Sequence, residues 1–218
     1  MEAVAGATGG SAFNAGAVDC VWQPRPHREL LLPFPGGLPG PEVVRRASDV
    51  EATRIGCWAA APAANWSQLD ARLRELGFAP GWQPHWMTAR TIAATSPDAR
   101  VSEPDEPPPE YDDYGRALFG LTRARPQTSC LFIAREEGRF AGHAWLHVAA
   151  GIGGLYDVFV VERHRRRGLG SALSTAASAK AAQLGIDTIA LNAEFAPLYE
   201  SLGFRSLGFG QTWWRHLA

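Results

Sequence analysis

The stretch VFVVERHRRRGLGSAL, Val158 to Leu173, decides the reading of this chain. Its apolar start reads as the end of a β-strand. A run of bases and a glycine pair, Gly168 and Gly170, then lead into an Ala-, Ser- and Leu-rich segment of helical character. That helix runs to Leu184 and is closed by Gly185 as a C-cap. A helix N-terminus presents unpaired backbone N–H groups and partial positive charge. Glycines without Cβ let the backbone come close to an anion, so such a strand–turn–helix can cradle phosphate oxygens. The spacing Arg165-x-x-Gly168-x-Gly170 sets an arginine at the mouth of the turn. It is not a nucleotide P-loop, because Gly-Lys-Ser/Thr is missing, nor a Rossmann turn, because the third glycine is missing.

Working outward, Tyr111 to Thr122 has helical spacing, and SCLFIAREEGRFAGHAWLHVA reads as two strands joined at Glu137-Gly138. GLYDVFVVE is a strand, IDTIALNA a short strand, and APLYESLG a short helix that takes Pro197 in its first turn. FRSLGFGQTWWRHL is extended and aromatic. The order helix, strand, strand, strand, helix, strand, helix, strand describes a mixed α/β (α+β) domain.

Downstream of the glycine turn, LNAEFAPLYESLGF supplies Asn192, then Tyr199, then Gly203-Phe204. Here the chain resembles the GNAT superfamily of acyl-CoA N-acyltransferases. RRRGLG is similar to the family's pyrophosphate loop, and NAEFAPLYESLGF to its last signature. The resemblance covers about Asp105 to Ala218. It implies a central mixed, mostly antiparallel sheet flanked by helices, and acetyl-CoA as co-substrate with no metal. Carried over, it implies that the backbone of Phe159, Val160 and Val161 holds the pantetheine arm, with the Val160 amide on the thioester carbonyl. Arg165, Arg166, Arg167, Gly168, Leu169, Gly170 and Ser171 would cradle the pyrophosphate, and Asn192 would line the cofactor slot. Tyr199 would protonate the leaving thiolate as a neutral amine attacks directly.

Each residue also has a plainer reading. Tyr199 suits a half-buried helix position, Asn192 a strand end, and Arg166 and Arg167 a solvated turn. Asp157, inside an apolar strand, is either a general base for the amine or a structural acceptor. The acid that some family members carry three residues earlier is Gly154 here, which favours a water-relayed proton path. His143 and His147 share a strand face and read as core or surface histidines. Trp82, Trp86, Trp213 and Trp214 read as packing residues ahead of an acceptor pocket.

The N-terminal half repeats part of this pattern. LRELGFAPGWQPHWM, Leu73 to Met87, parallels YESLGFRSLGFGQTWW, Tyr199 to Trp214. PEVVRRASDVEATRIG stands where the long helix stands, CWAAA where IALNA stands, and NWSQLDARLRELG where the short helix stands. LLLPFPGGLPG mimics the glycine turn, but Pro35, Pro39 and Pro41 remove donors and no arginine sits at its mouth. The expected organisation is a disordered lead over 1–19, a degenerate GNAT-like half domain over 20–90 and a catalytic GNAT domain over 91–218. The half domain is expected to lack room for the first strands and not to bind CoA. TSPDARVSEPDEPPPEYDDYG, between the copies, reads as a solvated acidic loop, with a rim over a cationic substrate as the second reading.

Composition bounds the partners. A net charge of −1 over 218 residues argues against a general polyanion binder, and Arg163 to Arg167 lack interleaved aromatics, so no nucleic-acid partner is expected. Three separated cysteines form no CxxC pair and fit a reducing cytoplasm. No apolar run reaches the ~18 residues of a membrane span. The expected partner is a small-molecule or peptide amine acceptor, and a homodimer is compatible with the resemblance. The competing class is a non-catalytic acyl-CoA-binding sensor on the same scaffold.

Overall fold

The small, polar N-terminus is folded in the computed structural model, which describes residues 2–60, 66–92 and 98–217. Where a disordered lead was expected over 1–19, the chain forms helix α1 (Glu2–Ala7) and strand β1 (Ser11–Ala15), then enters β2 (Val18–Gln23). Ala5 is fully buried and packs with Val21 and Leu31. Alanine and glycine let backbone elements approach closely while adding little to a hydropathy pattern, which is why composition alone hid this segment.

Residues Met1–Pro84 and Gly208–Ala218 make up the first unit, His85–Leu207 the second. The first unit continues with β3 (Glu29–Pro33), α2 (Pro41–Asp49), β4 (Arg54–Ala60), α3 (Trp66–Glu75) and β5 (Ala79–Pro80). Of the expected NWSQLDARLRELG helix, Asn65 lies outside the described residues. β1 pairs antiparallel with β2, β2 antiparallel with β3, and β3 parallel with β4. The first strands thus fit after all, in the 13 residues from Ser11 to Gln23. Trp213 lies in this unit's core, 1% exposed, with its indole N–H on Asp70 Oδ1 at 2.8 Å and its ring 5.2 Å from that of Trp66.

The second unit holds β6 (His85–Arg90), β7 (Val101–Ser102), α4 (Asp113–Ala124), β8 (Ser129–Glu136), β9 (Arg139–Ala149), β10 (Ile152–Val160), α5 (Leu169–Gln183), β11 (Thr188–Ala193) and α6 (Ala196–Ser201). Glu137 and Gly138, both at positive φ, close the β8–β9 hairpin where the sequence places it. β8 and β9 are antiparallel, β9 and β10 antiparallel, β10 and β11 parallel. α5 lays Leu169, Leu173, Ala177 and Ala181 on the sheet with Leu146, Leu155 and Ile189. The acidic stretch is only partly loop. Its Thr95 to Pro97 lie outside the described residues, Val101–Ser102 pair with β8, and Asp112 caps α4 by accepting from the Gly115 N–H at 2.8 Å.

The last strand, β12 (Arg205–His216), pairs antiparallel with β4, from Gly210↔Ala60 to His216↔Arg54. β6 pairs antiparallel with β11. Each unit therefore repeats one succession of pairings and takes its final strand from the other copy's stretch of chain. The unit boundaries differ accordingly from a division at residue 90.

Candidate active site

The site begins where β10 loses a neighbour. β10 and β11 pair at Gly153↔Ile189, Gly154↔Ala190 and Leu155↔Leu191 and no further, although both strands continue. At the same level β10 bulges against β9, its register shifting between Tyr156 and Phe159. Asp157 takes up the irregularity at φ +48°, a conformation that Asp tolerates better than most residues. Beyond the bulge, the Val161 N–H donates to the Ala141 carbonyl at 2.9 Å. Backbone groups alternate edges along a strand, so the Val160 N–H faces the edge that β11 has left. Of the three backbone positions expected to hold an acyl carrier, Val160 alone turns its amide to this slot: Phe159 pairs with His143, and Val161 is engaged by Ala141. Asn192 stands one residue past the last β10–β11 pair, and its Oδ1 is buried without a hydrogen-bond partner among the described residues. A buried orphan acceptor is uncommon, and this one lies beside the slot.

The glycine turn follows directly. Glu162–His164 make one 3₁₀ turn, then Arg166 at φ +60° and Gly168 at φ +80° coil the chain into α5. The Ala172 N–H bonds the Gly168 carbonyl at 2.9 Å, so the amides of Leu169, Gly170 and Ser171 precede the helical ladder. No acidic side chain occupies the first turn of α5. Leu169 is buried, so only its backbone is available to a ligand at the turn. A Cβ on Gly170 would press on Leu198 Cδ2 of α6 at 3.3 Å.

The arginines divide the work. The Arg165 Nε donates to the Val160 carbonyl at 3.1 Å, which holds its guanidinium at the slot mouth. Arg166 is exposed. Arg167 pairs with Glu136 Oε2 at 3.0 Å, an oxygen that also meets His164 Nδ1 at 2.7 Å. Arg100 reaches Glu136 Oε1 at 3.6 Å and donates to the Arg167 carbonyl at 3.1 Å. Burial raises the Glu136 carboxyl, but the His164 hydrogen bond and the charges of Arg167 and His164 outweigh it and hold the group below its ordinary range. Arg100 is itself held by Asp98 at 2.7 Å, and its hydrogen bonds push the Asp98 carboxyl down to about 2. Sequence reasoning missed Asp98, Arg100, Glu136 and His164 as loop supports. The only signal was charge, which is ambiguous without contacts.

Tyr199 is 8% exposed on α6, its ring 5.7 Å from Phe204. Burial pushes its hydroxyl up, with the Glu194 charge adding to the effect, so it keeps its proton at neutral pH. On the β9 side, the Tyr111 hydroxyl lies 2.8 Å from His143 Nδ1, and His143 Nε2 lies 3.0 Å from Asp157 Oδ2. His147 instead meets the Ser129 hydroxyl at 2.8 Å, a structural contact. At position 154 a Cβ would lie 2.5 Å from Tyr156 Cε2 and 2.8 Å from its hydroxyl, so that ring stands where a longer side chain on residue 154 would project. A cleft of about 490 Å³ also runs along α5, between Gly168 and Gln183 on one wall and Val101–Glu103 on the other, and shares Gly168 and Ser171 with the glycine turn. No group of three or more His, Cys, Asp or Glu able to hold a metal occurs among the described residues, and no described helix is long and apolar enough to cross a membrane.

A parallel strand pair that parts beside a glycine turn, in a mostly antiparallel sheet covered by helices, is the framework of an acyltransferase. The sequence profile of the acetyltransferase (GNAT) family matches residues 88–204, and the chain belongs to that family. Its chemistry is acyl transfer, and the family generally draws the acyl group from acetyl-CoA. Solved structures agree in fold. A GCN5-related N-acetyltransferase from Kribbella flavida is 17% identical with a TM-score of 0.66, covering 99% of this chain and 95% of its own. A conserved protein of unknown function from Staphylococcus epidermidis is 12% identical with a TM-score of 0.65, covering 97% and 96%. A tandem GNAT protein from the clavulanic acid biosynthesis pathway is 15% identical with a TM-score of 0.59, covering 91% and 78%. No protein of curated function matches the sequence.

Proposed function

We propose that the chain is an N-acetyltransferase that moves an acetyl group from acetyl-CoA to a primary amine. The observation that carries this reading is the parting of β10 and β11 after Leu155↔Leu191, with the Val160 amide facing the gap and the α5 N-terminus beside it. The residues present suit acetyl-CoA. Leu169, Gly170 and Ser171 offer amides to a pyrophosphate, Arg165 and Arg166 offer charge, and the buried Asn192 Oδ1 can accept from a pantetheine amide.

Acetyl-CoA supplies the acetyl group as a thioester. The Val160 N–H stabilises the negative charge that grows on the carbonyl oxygen. The amine nitrogen bonds to the acetyl carbon as the C–S bond breaks, and the sulfur takes its proton from the Tyr199 hydroxyl. The nitrogen gives its surplus proton to the Asp157 carboxylate, which is 60% exposed at the bulge. Both side chains then exchange protons with water. No acyl-enzyme forms.

Calorimetric titration with acetyl-CoA, followed by free-thiol release over a panel of primary amines, tests the reading. Binding with turnover is expected. Binding without turnover on any amine would instead identify a non-catalytic acyl-CoA sensor, and absence of binding would sink both.

A further inference from the structure

We propose that Tyr111 and His143 are positioning residues that fix Asp157 as the proton acceptor, by locking the His143 imidazole in its Nε2–H form. The inference rests on the acetyltransferase reading and deepens its proton path.

The three groups form one chain: Tyr111 Oη to His143 Nδ1 at 2.8 Å, and His143 Nε2 to Asp157 Oδ2 at 3.0 Å. A neutral imidazole carries one donor and one acceptor nitrogen, and a carboxylate only accepts. In a neutral imidazole the hydrogen facing the carboxylate sits on Nε2, and the Tyr111 hydroxyl donates to Nδ1. Burial, with the Asp157 and Glu110 charges added, pushes the Tyr111 hydroxyl well above its ordinary value, so it remains a donor. Every hydrogen then has one direction. The second nitrogen of a histidine sets the state of the first, and here Tyr111 makes that choice.

The surroundings suit a fixed device. The rings of Phe159, Phe140 and Trp145 lie 5.5, 6.0 and 6.3 Å from the imidazole. Exposure falls along the chain, from 60% for the Asp157 side chain to 14% for that of His143 and 8% for Tyr111, so only the carboxylate end is open to a substrate. Asp157 needs such a tether, because it sits on a bulge at positive φ with no strand beside it on the slot edge. With Oδ2 held by the imidazole N–H, Oδ1 is the oxygen presented to the amine.

Imidazole nitrogen NMR on the full chain reads the first claim directly. Wild type is expected to show the Nε2–H tautomer at His143, and Tyr111→Phe to show a mixture. A wild-type Nδ1–H tautomer, or a tautomer indifferent to Tyr111→Phe, would overturn the proposal whether or not any amine is turned over. Kinetics read the second claim. His143→Phe is expected to lower kcat by about 30- to 100-fold, as misplacement of a reacting group does, with KM for acetyl-CoA unchanged. His143→Gln retains an N–H for Asp157 and a carbonyl for Tyr111, and should recover at least about tenfold of that loss, since this hydrogen-bonded placement carries the effect. Wild-type kcat in His143→Phe, or no recovery in His143→Gln, would show that imidazole positioning is not the role. Failure of the acetyltransferase reading is separately visible as absence of turnover by wild type.

Discussion

At the residue scale, the proposed mechanism turns on protons held in opposite directions. Tyr199 must keep one, and burial raises its hydroxyl accordingly. Tyr199→Phe should lower kcat by about 100-fold, the usual yield of a general acid, while KM for acetyl-CoA stays within about twofold because the ring still packs on Phe204. A raised hydroxyl also places the alkaline loss of activity above about pH 10, the ordinary tyrosine value. A pH profile of kcat that falls off on the alkaline side well below that point would argue against Tyr199 as donor. In that mechanism Asp157 takes a proton, and its backbone adds a second constraint. Asparagine tolerates positive φ nearly as well as aspartate, whereas alanine does not. Asp157→Asn should cut kcat/KM with little change in Tm, and Asp157→Ala should add a stability loss of about 1 kcal/mol. Equal Tm values for the two variants would show that the bulge is unstrained. Asp157 was legible in the sequence as an acid inside an apolar strand. Its partners were not, because the His143–Asp157 contact depends on the β9–β10 register and the bulge, and Tyr111 reaches His143 from the segment before α4; no spacing rule encodes either.

At the element scale, the strand–turn–helix at Val158 to Leu173 was readable because its signals are local: an apolar run, two glycines and a helical tail. What props the turn was not readable, since Glu136 ends β8 and Arg100 precedes β7. Gly168 sits at φ +80° with only Arg100 Nη2, 3.9 Å away, near its missing Cβ. Gly168→Ala would therefore meet strain rather than collision, costing about 1 kcal/mol. It should also weaken acetyl-CoA binding by roughly tenfold, the equivalent of about 1.4 kcal/mol of lost amide alignment. Titration calorimetry beside thermal melting checks both figures, and unchanged affinity would remove the turn from the site. The Asp98–Arg100 pair makes a pH prediction. The folded carboxyl, at about 2, lies below its unfolded value, so the pair stabilises fully above the ordinary aspartate range and loses that contribution as pH falls toward 2. Wild type should melt above Asp98→Asn at neutral pH, and the gap should close between about pH 4 and pH 2. A gap that does not depend on pH would mean the carboxylate is not held by charge.

At the scale of the whole molecule, one topology occurs twice with opposite outcomes at the helix N-terminus. In the second unit, α5 starts with free amides and no acid in its first turn. In the first, α2 starts at Pro41, and the Glu42 carboxylate lies against Gly40 and Gly16, where a Cβ on either glycine would collide with it. A carboxylate at that end interacts favourably with the helix dipole and would repel an external phosphate there. The proline-broken turn was visible in the sequence; the Glu42 carboxylate folded against it and the exchange of last strands were not, because both are set by contacts rather than by local pattern. That exchange makes a prediction about dissection. A fragment of residues 91–218 lacks β6, which covers β11 from Thr188↔Arg90 to Ala193↔His85 and stands opposite Asn192 through Trp86. The same fragment carries the Gly210–His216 part of β12 away from β4. It would expose an apolar strand edge, and a fragment of residues 1–90 would do the same with β4 and β6, the usual route to aggregation. Each piece expressed alone should be insoluble, and co-expression should restore a soluble complex that binds acetyl-CoA. If residues 91–218 alone gave a folded monomer with full affinity, β6 would be dispensable to the slot, and neither unit would need its exchanged strand to fold.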